Sequence, residues 1–193
     1  ENYEGENDFT ACARFLWSNK ALYLRLEVRD DAFRPLTNAA ANSLDGDYFL
    51  LRFVHETAGP EAKAEPFQLV LAPDPTQGTC AVTVEAGEIS KARIGQPQAR
   101  LLKGKANEYA IILEVPTNAW QDPPRKNRLL RFQIISGDAD TEALPQHVFA
   151  AFPPTDISIP LARTTGALHF VGTFWVKMLP AQARFDDPVA TLL

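Results

Sequence analysis

The chain is expected to fold as an all-β protein, an antiparallel β-sandwich of jelly-roll-like character with about ten strands. Three observations lead there. Strand-like segments recur at short intervals, helical periodicity is nearly absent, and 15 prolines and 10 glycines punctuate the whole chain instead of marking one linker. Length supports a single domain over 1–193, because 193 residues are enough for one sizeable core and too few for two comfortable ones.

The strands follow in order. Thr10–Trp17 is an apolar run stopped by Ser18-Asn19-Lys20. Ala21–Arg29 carries the strongest signal: Leu22, Leu24, Leu26 and Val28 alternate with Tyr23, Arg25, Glu27 and Arg29, which is the period of a half-buried antiparallel strand. Asp30-Asp31 ends it, a polar loop follows, and Asp45-Gly46-Asp47 opens the aromatic-rich Tyr48–His55. Pro66–Ala72 stops at Pro73-Asp74-Pro75, and Thr79–Glu85 is rich in β-branched residues. Gln98–Lys103 follows Pro97, Glu108–Val115 ends at Pro116, Leu129–Ser136 stops at Gly137-Asp138, and Val148–Phe152 precedes Pro153-Pro154. Leu168–Met178 closes the series, so 171–193 is expected to be a final strand or an extension covering an open sheet edge.

Composition narrows the function classes. A 46% hydrophobic and 22% charged chain is an ordinary globular one. A formal charge of −5 opposes nucleic-acid binding, and the brief Arg125-Lys126-Asn127-Arg128 cluster is not a basic face. No apolar run approaches the roughly 18 residues of a membrane span. The opening Glu1-Asn2-Tyr3-Glu4-Gly5 resembles the start of a mature or excised domain. Cys12 and Cys80 read as buried free thiols, with a disulfide left open, and neither belongs to a CxxC pair. His55, His147 and His169 form no zinc motif, and a G-x-S-x-G elbow is absent.

Candidate binding residues lie on loops and strand ends. Phe33 beside Arg34 sets an apolar plate next to a fork of donors, on a loop held by a rigid scaffold. Tyr48 has the same ambiguity between core and ligand. Trp17 and Trp120 read as packing residues, whereas Phe174 and Trp175 are neighbours on a strand and face opposite sides, which leaves one of them exposed. Asp30-Asp31, Asp45 with Asp47, and Asp138 with Asp140 place carboxylates where calcium can bind. Turn aspartates bonded to their own backbone explain the same pairs.

The order of these pieces resembles the family 9 carbohydrate-binding modules and the wider DOMON-like sandwiches. The matching residues are Leu16-Trp17-Ser18-Asn19-Lys20-Ala21-Leu22-Tyr23-Leu24, then Val28-Arg29-Asp30-Asp31 and Asp45-Gly46-Asp47. Glu108–Pro116, Leu130–Ile134 with Asp138-Ala139-Asp140, and Gly166-Ala167-Leu168 continue the series. The resemblance implies a non-catalytic, secreted (extracellular or cell-envelope) module, accessory to polysaccharide binding or degradation, with glycan as partner. The expected ligand set is Arg34, Tyr48, Gln68, Asp156 and Trp175, with no required cofactor, and the acidic pairs place a structural calcium ion, if one is carried, at Asp138 and Asp140.

The departures bear on function. Leu44 and Ile159 stand where sugar-binding members of the family place two tryptophans, and Leu50 and Gln68 replace a glutamate and an arginine. Stacking on aromatic faces is central to sugar recognition. The alternative is therefore a structural or interaction sandwich of a larger protein, docked on neighbouring domains, that has lost sugar binding. A haem b domain is the remaining alternative; Met178, Lys177 and His169 are the available ligands, and adjacent Met178 and Lys177 cannot both reach one iron from a strand.

Overall fold

The computed structural model describes residues 9–36, 46–55, 65–86, 95–117, 126, 129–139, 147–152, 166–171 and 175–179. Among them every regular element is a strand, and there are eleven. They are β1 (Phe9–Trp17), β2 (Ala21–Asp30), β3 (Tyr48–His55), β4 (Glu65–Asp74), β5 (Thr79–Ala86), β6 (Gln98–Lys103), β7 (Glu108–Pro116), β8 (Leu129–Ala139), β9 (His147–Phe152), β10 (Gly166–Val171) and β11 (Trp175–Leu179). Each expected segment lies on one strand except the last. Leu168–Met178 is a hairpin instead of one strand, with Val171 opposite Trp175.

The strands follow one hydrogen-bonded path, β5-β4-β3-β8-β10-β11-β1-β2-β7-β6, and β9 pairs with β8 off that path. Every strand pair is antiparallel. The path folds over into two layers, β5-β4-β3-β8 against β1-β2-β7-β6, because residues of both share one apolar cluster. The carboxyl-terminal hairpin joins the layers: β10 pairs with β8, and β11 pairs with the end of β1 at Leu16.

Side-chain alternation builds the core. Leu22, Leu24, Leu26 and Val28 of β2 are buried as their period requires, while Arg25 and Arg29 are exposed. They meet Phe49, Leu51 and Phe53 of β3, Phe67, Leu69 and Leu71 of β4, and Phe132 of β8. Phe15 packs edge-on against Phe132 with centroids 5.2 Å apart, and Phe53 stacks on Phe67 at 5.0 Å. Trp17 belongs to this core, as the sequence leads one to expect.

The cysteines divide. Both are free, but Cys12 is exposed, which corrects the expectation that it is buried. It sits opposite Glu27, on the polar phase of β1. Cys80 packs against the core, and burial pushes its thiol up to about 12. Because the thiolate is the reactive form, a thiol reagent at pH 8 should label one cysteine of the folded protein quickly and the second only on unfolding. Equal rates for both, followed by mass spectrometry, would place Cys80 elsewhere.

Candidate functional site

Two constellations stand out among the described residues. The first lies on the outer face of the β5-β4-β3-β8 layer. Arg52, Gln68, Glu85 and Gln133 interrupt apolar strands, and all four point away from the core because Phe53, Phe67, Val84 and Phe132 beside them point inward. Register then aligns them: Gln68 is opposite Arg52 and Glu85, and Arg52 is opposite Gln133. The Arg52 guanidinium donates to Gln68 Oε1 at 3.2 Å and to Gln133 Oε1 at 3.4 Å. Gln68 Nε2 donates in turn to the Glu85 carboxylate. Gln133 is buried at this row's inner end, and the other three are half-buried. The result is a preordered strip of donors and acceptors with planar ends, suited to polyhydroxyl ligands.

Beside this strip the same face is apolar and closed. Tyr48, Leu50, Val70 and Ile135 form a second cluster, with Leu36 packed against it. Tyr48 is 4% exposed and lies across Gly137, where a β-carbon would run into its ring. Burial pushes its hydroxyl up to about 12, with Arg52 acting in the opposite sense. Tyr48 is thus a packing residue of this face, which corrects its expected role in ligand contact.

The second constellation is acidic and lies inside, at one end of the sandwich. Asp30 continues the inward phase of Leu24, Leu26 and Val28. Asp47 precedes Phe49 and Leu51 in phase, and Asp138 follows Phe132 and Ile134 in phase. Their exposures are 3%, 1% and 1%, and one carboxylate oxygen from each lies within 4.8 Å of the other two. Backbone donors hold them: Ala32 N–H reaches Asp30 Oδ1 at 3.0 Å, Ala139 N–H reaches Asp47 Oδ1 at 2.8 Å, and Arg34 N–H reaches Asp47 Oδ2. Asp47 N–H returns to the Arg34 carbonyl at 2.8 Å. The loop after β2 is therefore fastened to the entry of β3.

The expected site residues are distributed between these places. Gln68 is in the polar strip. Arg34 is half-buried at the acidic end, where its backbone serves Asp47. Trp175 stands in β11 opposite Leu16. Asp138 meets Asp30 and Asp47, partners drawn from other strands; Asp140 and Asp156 lie outside the described residues, as do Leu44, Trp120, Ile159 and Phe174. Phe33 turns inward, edge-on to Tyr109 at 6.2 Å. On the hairpin, His169 is opposite Lys177 and Leu168 opposite Met178. Arg52, Glu85 and Gln133 are not among the residues expected from the sequence. A lone polar residue in each apolar run, as in Phe-Leu-Leu-Arg-Phe, was the available signal.

Neither a protein-family model nor a curated protein sequence matches the chain. Among solved structures it is similar to a family 9 carbohydrate-binding module from Caldicellulosiruptor kristjanssonii in complex with cellotriose. Identity is 16% and the TM-score 0.48, over 74% of this chain and 64% of that one. A family 9 module from the same organism in complex with glucose is similar at 15% identity and a TM-score of 0.47, over 74% of this chain and 65% of that one. The chain thus matches less than two thirds of the length of either structure.

Proposed function

We propose that the chain is a non-catalytic module that binds glycan through the outer face of the β5-β4-β3-β8 layer, within a secreted protein that handles polysaccharide. The observation that carries this reading is the cross-strand strip Gln133-Arg52-Gln68-Glu85. Its side chains are already ordered by one another, so a sugar would meet them at small entropic cost. Arg52 is the centre of the strip and the residue on which binding should depend most. Gln68, expected to replace an arginine, works beside an arginine one strand away. The sequence resemblance to family 9 modules supports the same reading.

The test is calorimetry and affinity electrophoresis against a panel of soluble and insoluble polysaccharides. Arg52→Ala should weaken the best ligand about 10- to 100-fold, the scale of a lost hydrogen bond to a charged group, and leave the thermal midpoint within a few degrees. Silence of the wild-type chain across the panel would end the proposal. Val70 and Ile135 on the same face are only 1% and 4% exposed, so a sugar on this face would meet the polar strip and not the apolar cluster.

A further inference from the structure

We infer that Asp30, Asp47 and Asp138, together with the Tyr109 hydroxyl, form a buried site for a divalent cation of the hard, oxygen-seeking kind, calcium foremost, that fastens the two layers of the sandwich at one end. The inference is independent of glycan binding and involves none of the residues of the outer strip.

The geometry has several parts that agree. The three carboxylates come from both layers: Asp30 from the end of β2, Asp47 from the entry of β3 and Asp138 from β8. Their oxygens lie within 4.8 Å of one another. Oxygens that share one calcium ion at about 2.4 Å are at most about 4.8 Å apart, and each pair of the three carboxylates meets that condition. Three carboxylates gathered in a dry interior repel with little screening, and a divalent cation converts that repulsion into attraction. The backbone N–H groups of Ala32, Arg34 and Ala139 orient Asp30 and Asp47 from outside, the role that outer-shell donors have around bound metals.

Tyr109 supplies the independent observation. It is 5% exposed, it follows the inward phase of Ile111, Leu113 and Val115, and among the described residues its hydroxyl has no hydrogen-bond partner. Tyr109 stands opposite Val28 of β2, and Asp30 is the next buried residue in phase along that strand, so the side chain belongs to the acidic end of the sandwich. A buried hydroxyl left without a partner costs free energy, and an ion held by the carboxylates would give its oxygen one. Asp30 and Tyr109 also line a cleft of about 420 Å³ with Phe33 and Asn107, which offers a way in from solvent.

The test uses the chain stripped with a chelator and returned to metal-free buffer. Calcium should bind with one-to-one stoichiometry by calorimetry. At about 100 times the dissociation constant, it should raise the thermal midpoint by about 5–10 °C. Terbium should give emission sensitised by tyrosine excitation. Asp138→Asn should lose at least ten-fold in calcium affinity, whereas Asp31→Asn, next to Asp30 in sequence but exposed, should titrate like wild type. If Asp138→Asn does not fold, Tyr109→Phe carries the test. It keeps the packed ring, and should lose more than half of the sensitised emission and several-fold in affinity. No calcium-dependent shift up to 10 mM, or equal affinity in Asp138→Asn and wild type, overturns the inference.

Discussion

Phe132→Ala should lower the unfolding free energy by about 3–5 kcal/mol, the range for deleting a fully buried phenylalanine ring. The ring is 0% exposed and stands where the two layers touch. Its backbone pairs with Phe53 of β3 and Gly166 of β10, and its side chain meets Phe15 of the other layer edge-on. Collapse around the cavity is hindered because each neighbour is fixed by its own ladder. Against a total of about 5–15 kcal/mol for a typical domain, the loss is about a fifth or more, and the midpoint of a urea transition reads it directly. The exposed Leu102, at 49%, should tolerate alanine within about 0.5 kcal/mol. If the two variants unfolded alike, the core would not be where the structure puts it.

The fold was legible because period and punctuation are local. Leu22 to Val28 announce a half-buried strand whatever lies beside them, and Gly, Pro and Asp mark the ends. What local patterns cannot contain is partnership. Nothing in Leu168–Met178 says that the segment folds back and that β11 then pairs with β1, more than 150 residues away along the chain. The same limit applied to Cys12. Its place on the polar side of β1 follows from pairing with Glu27, while an apolar neighbourhood in sequence suggests burial.

The candidate sites were legible in part for the same reason. Asp30, Asp47 and Asp138 are all visible in the sequence, but as members of closely spaced pairs. Phase was the better guide: counting by two from Leu24, from Phe53 and from Phe132 puts each aspartate on the inward side. That count separates Asp30 from Asp31, and it finds the acidic end without any pairing information. Which three strands then converge there still requires the tertiary fold. Arg52, Gln68, Glu85 and Gln133 are harder, since their alignment into one strip depends on three registers at once, and a slip of one residue would undo it.

Gly46→Ala joins these threads in one substitution. A β-carbon at Gly46 would stand 2.7 Å from the Pro35 carbonyl oxygen and 2.8 Å from both the Arg34 oxygen and the Leu36 nitrogen. All three are backbone atoms, so no side chain can swing aside to make room. The loop after β2 must lift, and with it go the paired bonds between Arg34 and Asp47 and the bridge of Pro35 to Asp47. Overpacking of this kind costs about 1–3 kcal/mol. Freed from the Arg34 N–H, the Asp47 carboxylate loses its orientation, and calcium affinity should fall more than ten-fold while stability falls by the smaller amount. Leu36 rides on the same loop and packs on the outer apolar cluster, so that cluster should also open. Hydrogen exchange would register the change at Gly46 to Leu50 and leave β6 and β7 at wild-type protection. A Gly46→Ala chain with wild-type stability and unaltered exchange would mean that the loop is not seated on the entry to β3.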